Sequence, residues 1–323
     1  MDVDLRAWPI TATSLARAEL GFNNDSYFVA AREGEFVLRV YRNTAEPARV
    51  HAEHELLGRL LQQELPFQTP APVKTTGGDT VAVVETLDGP RLATLFFRIA
   101  GEPARLTIAN AFIAGRALAQ LDLAMSRVEL PLRAPATLGD VHPLVPDPLD
   151  ALDDLEIGDQ LQHTRASLER VMATHDALTA SLPTQFVHGD FAFPNLLIDG
   201  RKVTGLLDFE FAGPDFRAAD LATALYVIAV RADDVTRWPA LEAFTRGYRT
   251  VLPLDPLEIA ALPALMLRRS AIGLVHWTGR WRQGIASRDE PRARVERSAL
   301  FATWLEDEAP RLAVVASGEV RSR

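Results

Sequence analysis

Residues 186–226 read FVHGDFAFPNLLIDGRKVTGLLDFEFAGPDFRAADLATALY. Asp190, Asn195, Asp208, Asp215 and Asp220 are set among strongly apolar segments. Bare carboxylates are costly to place in such surroundings. A divalent metal carrying a polyphosphate would account for the concentration of negative charge. Within the stretch, NLLIDGRKVTGLLDF is two apolar runs about the pair Asp199-Gly200, a hairpin signal. A hairpin returns the chain, which brings Asn195 and Asp208 toward the same end. Strict two-residue-turn pairing puts Asn195 opposite Thr204 and leaves Asp208 several residues further on. At about 3.3 Å per strand residue the chain must then bend back for both side chains to reach one ion. Asp190 falls in an irregular loop bounded by Pro194. Three oxygen-bearing side chains at one hairpin end suit Mg²⁺, a hard cation that keeps part of its water shell and relies on phosphates for the rest.

The interval from Asp190 to Asn195 equals the Asp-x-x-x-x-Asn interval of the protein-kinase catalytic loop. Asp208-Phe209-Glu210 then stands where kinases carry Asp-Phe-Gly. In that scheme Asp190 accepts or orients the proton of an acceptor hydroxyl, and Asn195 and Asp208 hold Mg²⁺ on ATP. HGDFAFPN followed by GLLDFEFAGPDFRAADLA resembles the motifs of the aminoglycoside phosphotransferase and choline kinase superfamily, protein-kinase-like enzymes that phosphorylate small molecules. Within that superfamily the layout is most similar to homoserine kinase type II. The resemblance covers roughly residues 15–305 and is most specific at the motif core.

The resemblance assigns further roles. A loop covering the phosphates corresponds to GFNNDS, residues 21–26, where backbone N–H groups and the side chains of Asn23, Asn24 and Ser26 could meet phosphate oxygens. A cation on the third strand corresponds to Arg39, where many relatives carry Lys. That cation pairs with a helix glutamate. On a wheel of about 100° per residue, Glu53 falls within the apolar face of its helix and Glu55 away from it, so Glu53 is the better partner. The strand VAVVETLDG would be the hinge, with backbone near Glu85 to Leu87 meeting adenine. His188 fixes the catalytic loop by hydrogen bonds. Asp220 either braces that loop or caps its helix. Glu210 takes a second metal or faces solvent, while Asp215 and Arg217 line the acceptor site or form a surface pair. Asp122 stands where relatives often have His. Trp277 and Trp281, one turn apart, are core or a wall of the acceptor pocket able to hold a cationic amine.

The rest of the chain is compatible with this reading. Its 323 residues are 48% apolar and 24% charged, an ordinary globular composition. A net charge of −9 gives no electrostatic footprint for nucleic acid. There is no cysteine, so disulfides and thiolate metal sites are excluded. No signal peptide is evident, and no apolar run approaches the roughly 20 residues of a membrane span. A cytoplasmic protein without membrane association is expected. SYFVAA, EFVLRVY and TVAVVET read as strands, with a helix from Pro47. TIANAFIAGRALAQLDLAM, GDQLQHTRASLERVMATHDAL and several later segments read as amphipathic helices. The tail VVASGEVRSR reads as loose.

The expected fold is α+β and protein-kinase-like. Residues 1–88 form a nucleotide-binding lobe, a five-stranded antiparallel sheet with one key helix. Residues 89–323 form a mainly helical catalytic and substrate-binding lobe, with Mg·ATP bound between the two. The expected reaction moves the γ-phosphoryl of ATP to a hydroxyl of a small molecule of the homoserine, amino sugar or amino alcohol class. A nucleotide-binding pseudoenzyme, an aminoglycoside- or choline-type kinase and a metal-dependent hydrolase using His188 remain alternatives. Oligomeric state is not legible.

Overall fold

The computed structural model describes residues 4–18, 24–42, 44–87, 89–155 and 158–318. In chain order its elements are β1 (Ala12–Arg17), β2 (Asn24–Ala31), β3 (Gly34–Tyr41), α1 (Pro47–Leu60), β4 (Ala82–Thr86), β5 (Gly89–Phe97) and β6 (Glu102–Pro103). There follow α2 (Ile108–Met125), α3 (Asp150–Asp153), α4 (Gly158–Ser181), β7 (Thr184–Val187), β8 (Leu196–Asp199), β9 (Lys202–Leu206) and β10 (Gly213–Phe216). The chain ends in α5 (Ala219–Arg231), α6 (Asp234–Arg249), α7 (Pro256–Arg282) and α8 (Asp289–Ser317). Two compact units result. The smaller comprises Met1–Pro103, Val128–Leu130 and Asn195–Glu210; the larger comprises Ala104–Arg127, Pro131–Pro194 and Phe211–Arg323.

The smaller unit is built on a five-stranded antiparallel sheet in the order β1-β2-β3-β5-β4. Strand periodicity of two sets its faces: Phe36, Leu38 and Val40 of β3 join Trp8, Tyr27, Val29 and Leu95 in one core, while Arg39 points the other way. The sequence reading missed two of the five strands. β1 is a largely exposed edge with little apolar signal. β5 is buried over five successive residues, Leu92 to Phe96, and so shows no alternation. Because β5 pairs with both β3 and β4, the sheet continues past the expected boundary at 88, and the unit runs to Pro103. β6, β8 and β9 form a second small sheet in this unit.

The larger unit is mainly helical, with β7 and β10 as its antiparallel pair. β7 ends one residue before His188, so this pair positions the loop that follows. Its tightest packing joins α2 and α6. A Cβ on Gly115 would stand 2.1 Å from the Phe244 carbonyl oxygen, and one on Gly247 would stand 2.1 Å from that of Phe112. Each helix thus lays a glycine on the other's backbone. The expectation of a loose tail fails for its first part: α8 carries helix through Ser317 and closes on Gly318 in the left-handed conformation. The remaining five residues lie outside the described ones. By length and composition α7 could cross a membrane, yet 56% of its apolar window is buried, against α8, α5 and α4 within this unit.

Gly115→Ala tests that packing. Alanine favours an isolated helix by up to about 1 kcal/mol over glycine, but here the added methyl meets backbone. The expected net effect is a loss of about 1–3 kcal/mol, read as a lower chemical-denaturation midpoint. A stabilised variant would show that α2 and α6 are not this close.

Candidate active site

In the larger unit the loop after β7 is fastened from below by a buried carboxylate. The backbone N–H groups of His188 and Gly189 donate to the two oxygens of Asp220 at 2.6 and 2.8 Å. Asp220 lies inside the first turn of α5, where the cap position is Ala218, so it braces the loop and is not the N-cap. Gly189 has φ +79°, and a Cβ there would come within 2.4 Å of the Phe211 carbonyl oxygen. Only glycine satisfies both demands. The backbone N–H of Asp190 donates to Nδ1 of His188 at 3.3 Å. That ring nitrogen is therefore an acceptor, and the fully buried imidazole holds the loop, as expected from sequence.

The side chain of Asp190 is 29% exposed, and Nη2 of Arg269 donates to its Oδ1. Sequence reasoning did not single out Arg269. The available signal was a pair of arginines, Arg268-Arg269, inside an otherwise apolar helical run, since charged residues are rarely placed there without a partner. Its neighbour Arg268 is 5% exposed and donates to Asp215 at 2.9 Å and to the Ala136 carbonyl at 2.9 Å. Asp215 also accepts from the backbone N–H of Phe216. Arg217 pairs with the buried Glu258. Asp215 and Arg217 thus do not pair with each other, as a surface pair would; each is held by a residue of α7, Arg268 and Glu258 respectively.

Behind Asp220 lies a second buried carboxyl. Asp122 has no exposed surface, accepts from the Tyr248 hydroxyl at 2.7 Å on Oδ2, and leaves a buried Oδ1 with no donor to accept from. Burial, then the charge of Asp220, pushes the Asp122 carboxyl well above the usual range. Two adjacent buried carboxyls do not both ionise. Burial pushes the Asp220 carboxyl upward as well, but the His188 charge and the two backbone N–H donors act the other way, so Asp122 is the more strongly raised of the two.

The smaller unit carries the other predicted groups, and the hairpin register differs from strict pairing. The turn is centred on Gly200-Arg201, with Asp199 opposite Lys202. A bulge at Thr204 then shifts the ladder, so that Leu197 meets Gly205 and Leu196 meets Leu206. The pairing extends one step further: the N–H of Leu207 donates to the Asn195 carbonyl at 2.8 Å. Asp208 is therefore the residue next to Asn195's partner, and the chain has no need to bend back. Asp208 is the one non-glycine residue with positive φ, 68°, among the described residues. Such backbone costs about 1–3 kcal/mol and tends to mark functional sites.

Arg39 joins this group. It donates to Glu53 at 3.0 Å, with both side chains largely buried, and lies 3.6 Å from Asp208. Burial alone would loosen its proton. The charges of Glu53 and then Asp208 outweigh that and push its pKa upward. Glu55, by contrast, is exposed beside Arg59. Asn24 donates to Glu210 at 2.7 Å and accepts from the Arg42 N–H at 3.2 Å. Ser26 sits in β2 opposite Arg39, and Asn23 lies outside the described residues. Of the residues expected to form the hinge, Glu85 lies in β4 opposite Pro90 and Leu87 follows that strand, 89% exposed; the smaller unit continues through β5 to Pro103.

The donor set fits a hard divalent ion. Asn195 and Asp208 offer oxygen, and among the described residues no cluster of three or more His, Cys, Asp or Glu forms a metal cage. Magnesium sites with one or two protein ligands plus phosphates need none.

Residues 14–254 match the model described as "Phosphotransferase enzyme family". A homoserine kinase of Acidiphilium cryptum is 31% identical over 247 residues, covering 76% of this chain and 74% of its own. The microcompartment-associated aminopropanol kinase has a TM-score of 0.76 at 20% identity and covers 96% of both chains. An amicoumacin kinase solved with AMP-PNP and Ca²⁺ has a TM-score of 0.64 at 14% identity, covering 92% of this chain and 88% of its own. The expected α+β, protein-kinase-like fold is thus the observed one.

Asp122→Asn tests the proton between the two carboxyls. A raised folded pKa contributes stability that is complete below about pH 4 and is lost as pH rises through the folded value. Asparagine donates at every pH. The melting temperature of the variant relative to wild type should therefore move in the variant's favour as pH rises above about 4. A pH-independent difference would show that Asp122 is ionised.

Proposed function

We propose, for a chain that belongs to the phosphotransferase enzyme family, transfer of the γ-phosphoryl group of Mg·ATP to a hydroxyl of a small molecule. The observation that carries this reading is the Leu207-to-Asn195 backbone bond, which makes Asp208 and Asn195 neighbours on a bulged hairpin. Asn195 and Asp208 would hold the metal through side-chain oxygens. When bound, Mg²⁺ would supply positive charge that offsets the negative charge of the phosphates.

The chain's own groups do the rest by positioning. Arg39, held by Glu53, presents a fixed cation to the nucleotide phosphates. Asp190, oriented by Arg269, accepts or orients the proton of the acceptor hydroxyl. The loop bearing Asp190 keeps its shape through Asp220 and His188. In a loose phosphoryl-transfer transition state, alignment and charge matter more than base strength. The homoserine and aminopropanol kinases among the similar proteins support a small hydroxyl compound of the homoserine or amino alcohol class as acceptor. Use of ATP supports a cytoplasmic location.

Two variants test the roles. Asp190→Ala is expected to lower kcat by about 10²–10⁴-fold while Mg·ATP binding, measured by calorimetry, stays close to wild type. Wild-type turnover would remove Asp190 from its role. Asp208→Ala is expected to abolish the Mg²⁺ dependence of nucleotide binding, and an unchanged dependence would refute that assignment.

A further inference from the structure

Two guanidinium groups flank one glycine beside Asp190. A methyl group placed on Gly273 of α7 would stand 3.8 Å from Nη1 of Arg269 and 3.8 Å from Nη1 of Arg294. One arginine comes from α7 and the other from α8. Nη2 of Arg269 already holds Asp190, and its Nε is buried with no hydrogen-bond partner. Among the described residues Arg294 forms no ion pair. Its guanidinium lies 5.3 Å from the centre of the Trp277 ring, which also carries Arg280 at 5.2 Å. Burial, then the nearby charge of Arg297 and, less, that of Arg269, pushes the Arg294 pKa down, with Glu290 acting the other way. His276 belongs to the same neighbourhood, edge-on to Trp277, and is neutral at pH 7: burial, then Arg280, His142 and Arg269, lowers it to about 4. Arg269 and Arg294 thus bring two guanidinium groups to one glycine, with Arg269 reaching Asp190 through Nη2 and turning Nη1 toward Gly273.

We propose that Arg269 and Arg294 form a carboxylate clamp, so that the acceptor is a short hydroxy acid whose carboxylate bridges the two guanidiniums while its hydroxyl lies at Asp190. This rests on the kinase reading and narrows its substrate class. The two Nη1 atoms are no further apart than twice their distance from the Gly273 methyl position. A carboxylate accepting one charge-assisted bond of about 2.7–2.9 Å from each side spans such a gap. The hydroxyl and carboxylate must also be only a few bonds apart, because one arginine serves Asp190 with Nη2 and the clamp with Nη1. The aromatic faces that could cage a bare ammonium are occupied from within: Arg280 and Arg294 lie over Trp277, and Arg288 over Trp281 at 5.7 Å. A cationic amine lacking a carboxylate finds repulsion there, and a site built for a charged group rejects an analogue that lacks it.

L-Homoserine and 3-aminopropan-1-ol are a matched pair, differing only by the carboxylate. Wild-type enzyme is expected to favour homoserine in kcat/KM by about 10²-fold or more, equivalent to about 2.7 kcal/mol. Arg294→Gln should collapse that ratio to within about tenfold through the acceptor KM, and Arg294→Lys should restore part of it; thermal melts establish that both variants fold. Equal use of the two compounds, or an effect of Arg294→Gln on the KM for ATP instead, would overturn the clamp. Calorimetric titration of each compound without ATP separates the two readings. Carboxylate-dependent binding without turnover would sink the kinase reading and leave the clamp standing. Phosphorylation of both compounds at equal efficiency does the reverse, and binding of neither overturns the clamp.

Discussion

The Asp220 carboxylate has no exposure to water, and the backbone of His188 and Gly189 takes water's place around it. Charge-assisted bonds of this kind are about twice as strong as neutral ones, and a buried charge deprived of them would be expensive. The arrangement therefore works in both directions. The loop supplies donors to a carboxyl that water does not reach, and the carboxyl holds the loop in the shape that presents them. Gly189 permits that shape through its positive φ and its close approach to Phe211. Asp122 and Tyr248 extend the network, so that α2, α5 and α6 all bear on the residue preceding Asp190.

The smaller unit solves a related problem with a cation at its centre. Arg39 is enclosed between Glu53 and Asp208, and breaking a buried pair of this sort costs about 3–5 kcal/mol because a charge is left uncompensated. That cost, together with the bond between Asn195 and Leu207, supports an Asp208 backbone that would otherwise relax out of the left-handed region. Both units thus tie strained or buried polar groups to fixed partners. Such preorganisation suits a reaction in which placing charge matters more than abstracting a proton.

Much of the local geometry of the candidate site was legible in the sequence because it is set by neighbouring residues. The His-Gly-Asp lead, the interval from Asp190 to Asn195 and the existence of a hairpin about Gly200 are separated by few residues, and steric rules act over that range, though the turn itself falls one residue later than Asp199-Gly200. The wheel that preferred Glu53 to Glu55 worked for the same reason, since helical periodicity follows from backbone geometry alone. Where local signals were weak, the reading lost elements. β5 has no alternation because it is buried from Leu92 to Phe96, and missing it placed the expected boundary before the end of the sheet.

The sequence by itself determined the motif residues, the helical and strand periods that carry them, and the sheet-plus-helices class of the fold. Tertiary structure alone decided the hairpin register, since a single bulged residue at Thr204 changes which residue faces Asn195 and no propensity signals it. It also decided that Arg269, 79 residues after Asp190, would hold that carboxylate, and that Arg294 would join it across Gly273. Contacts of that span depend on how helices pack, and packing is set by the whole core at once.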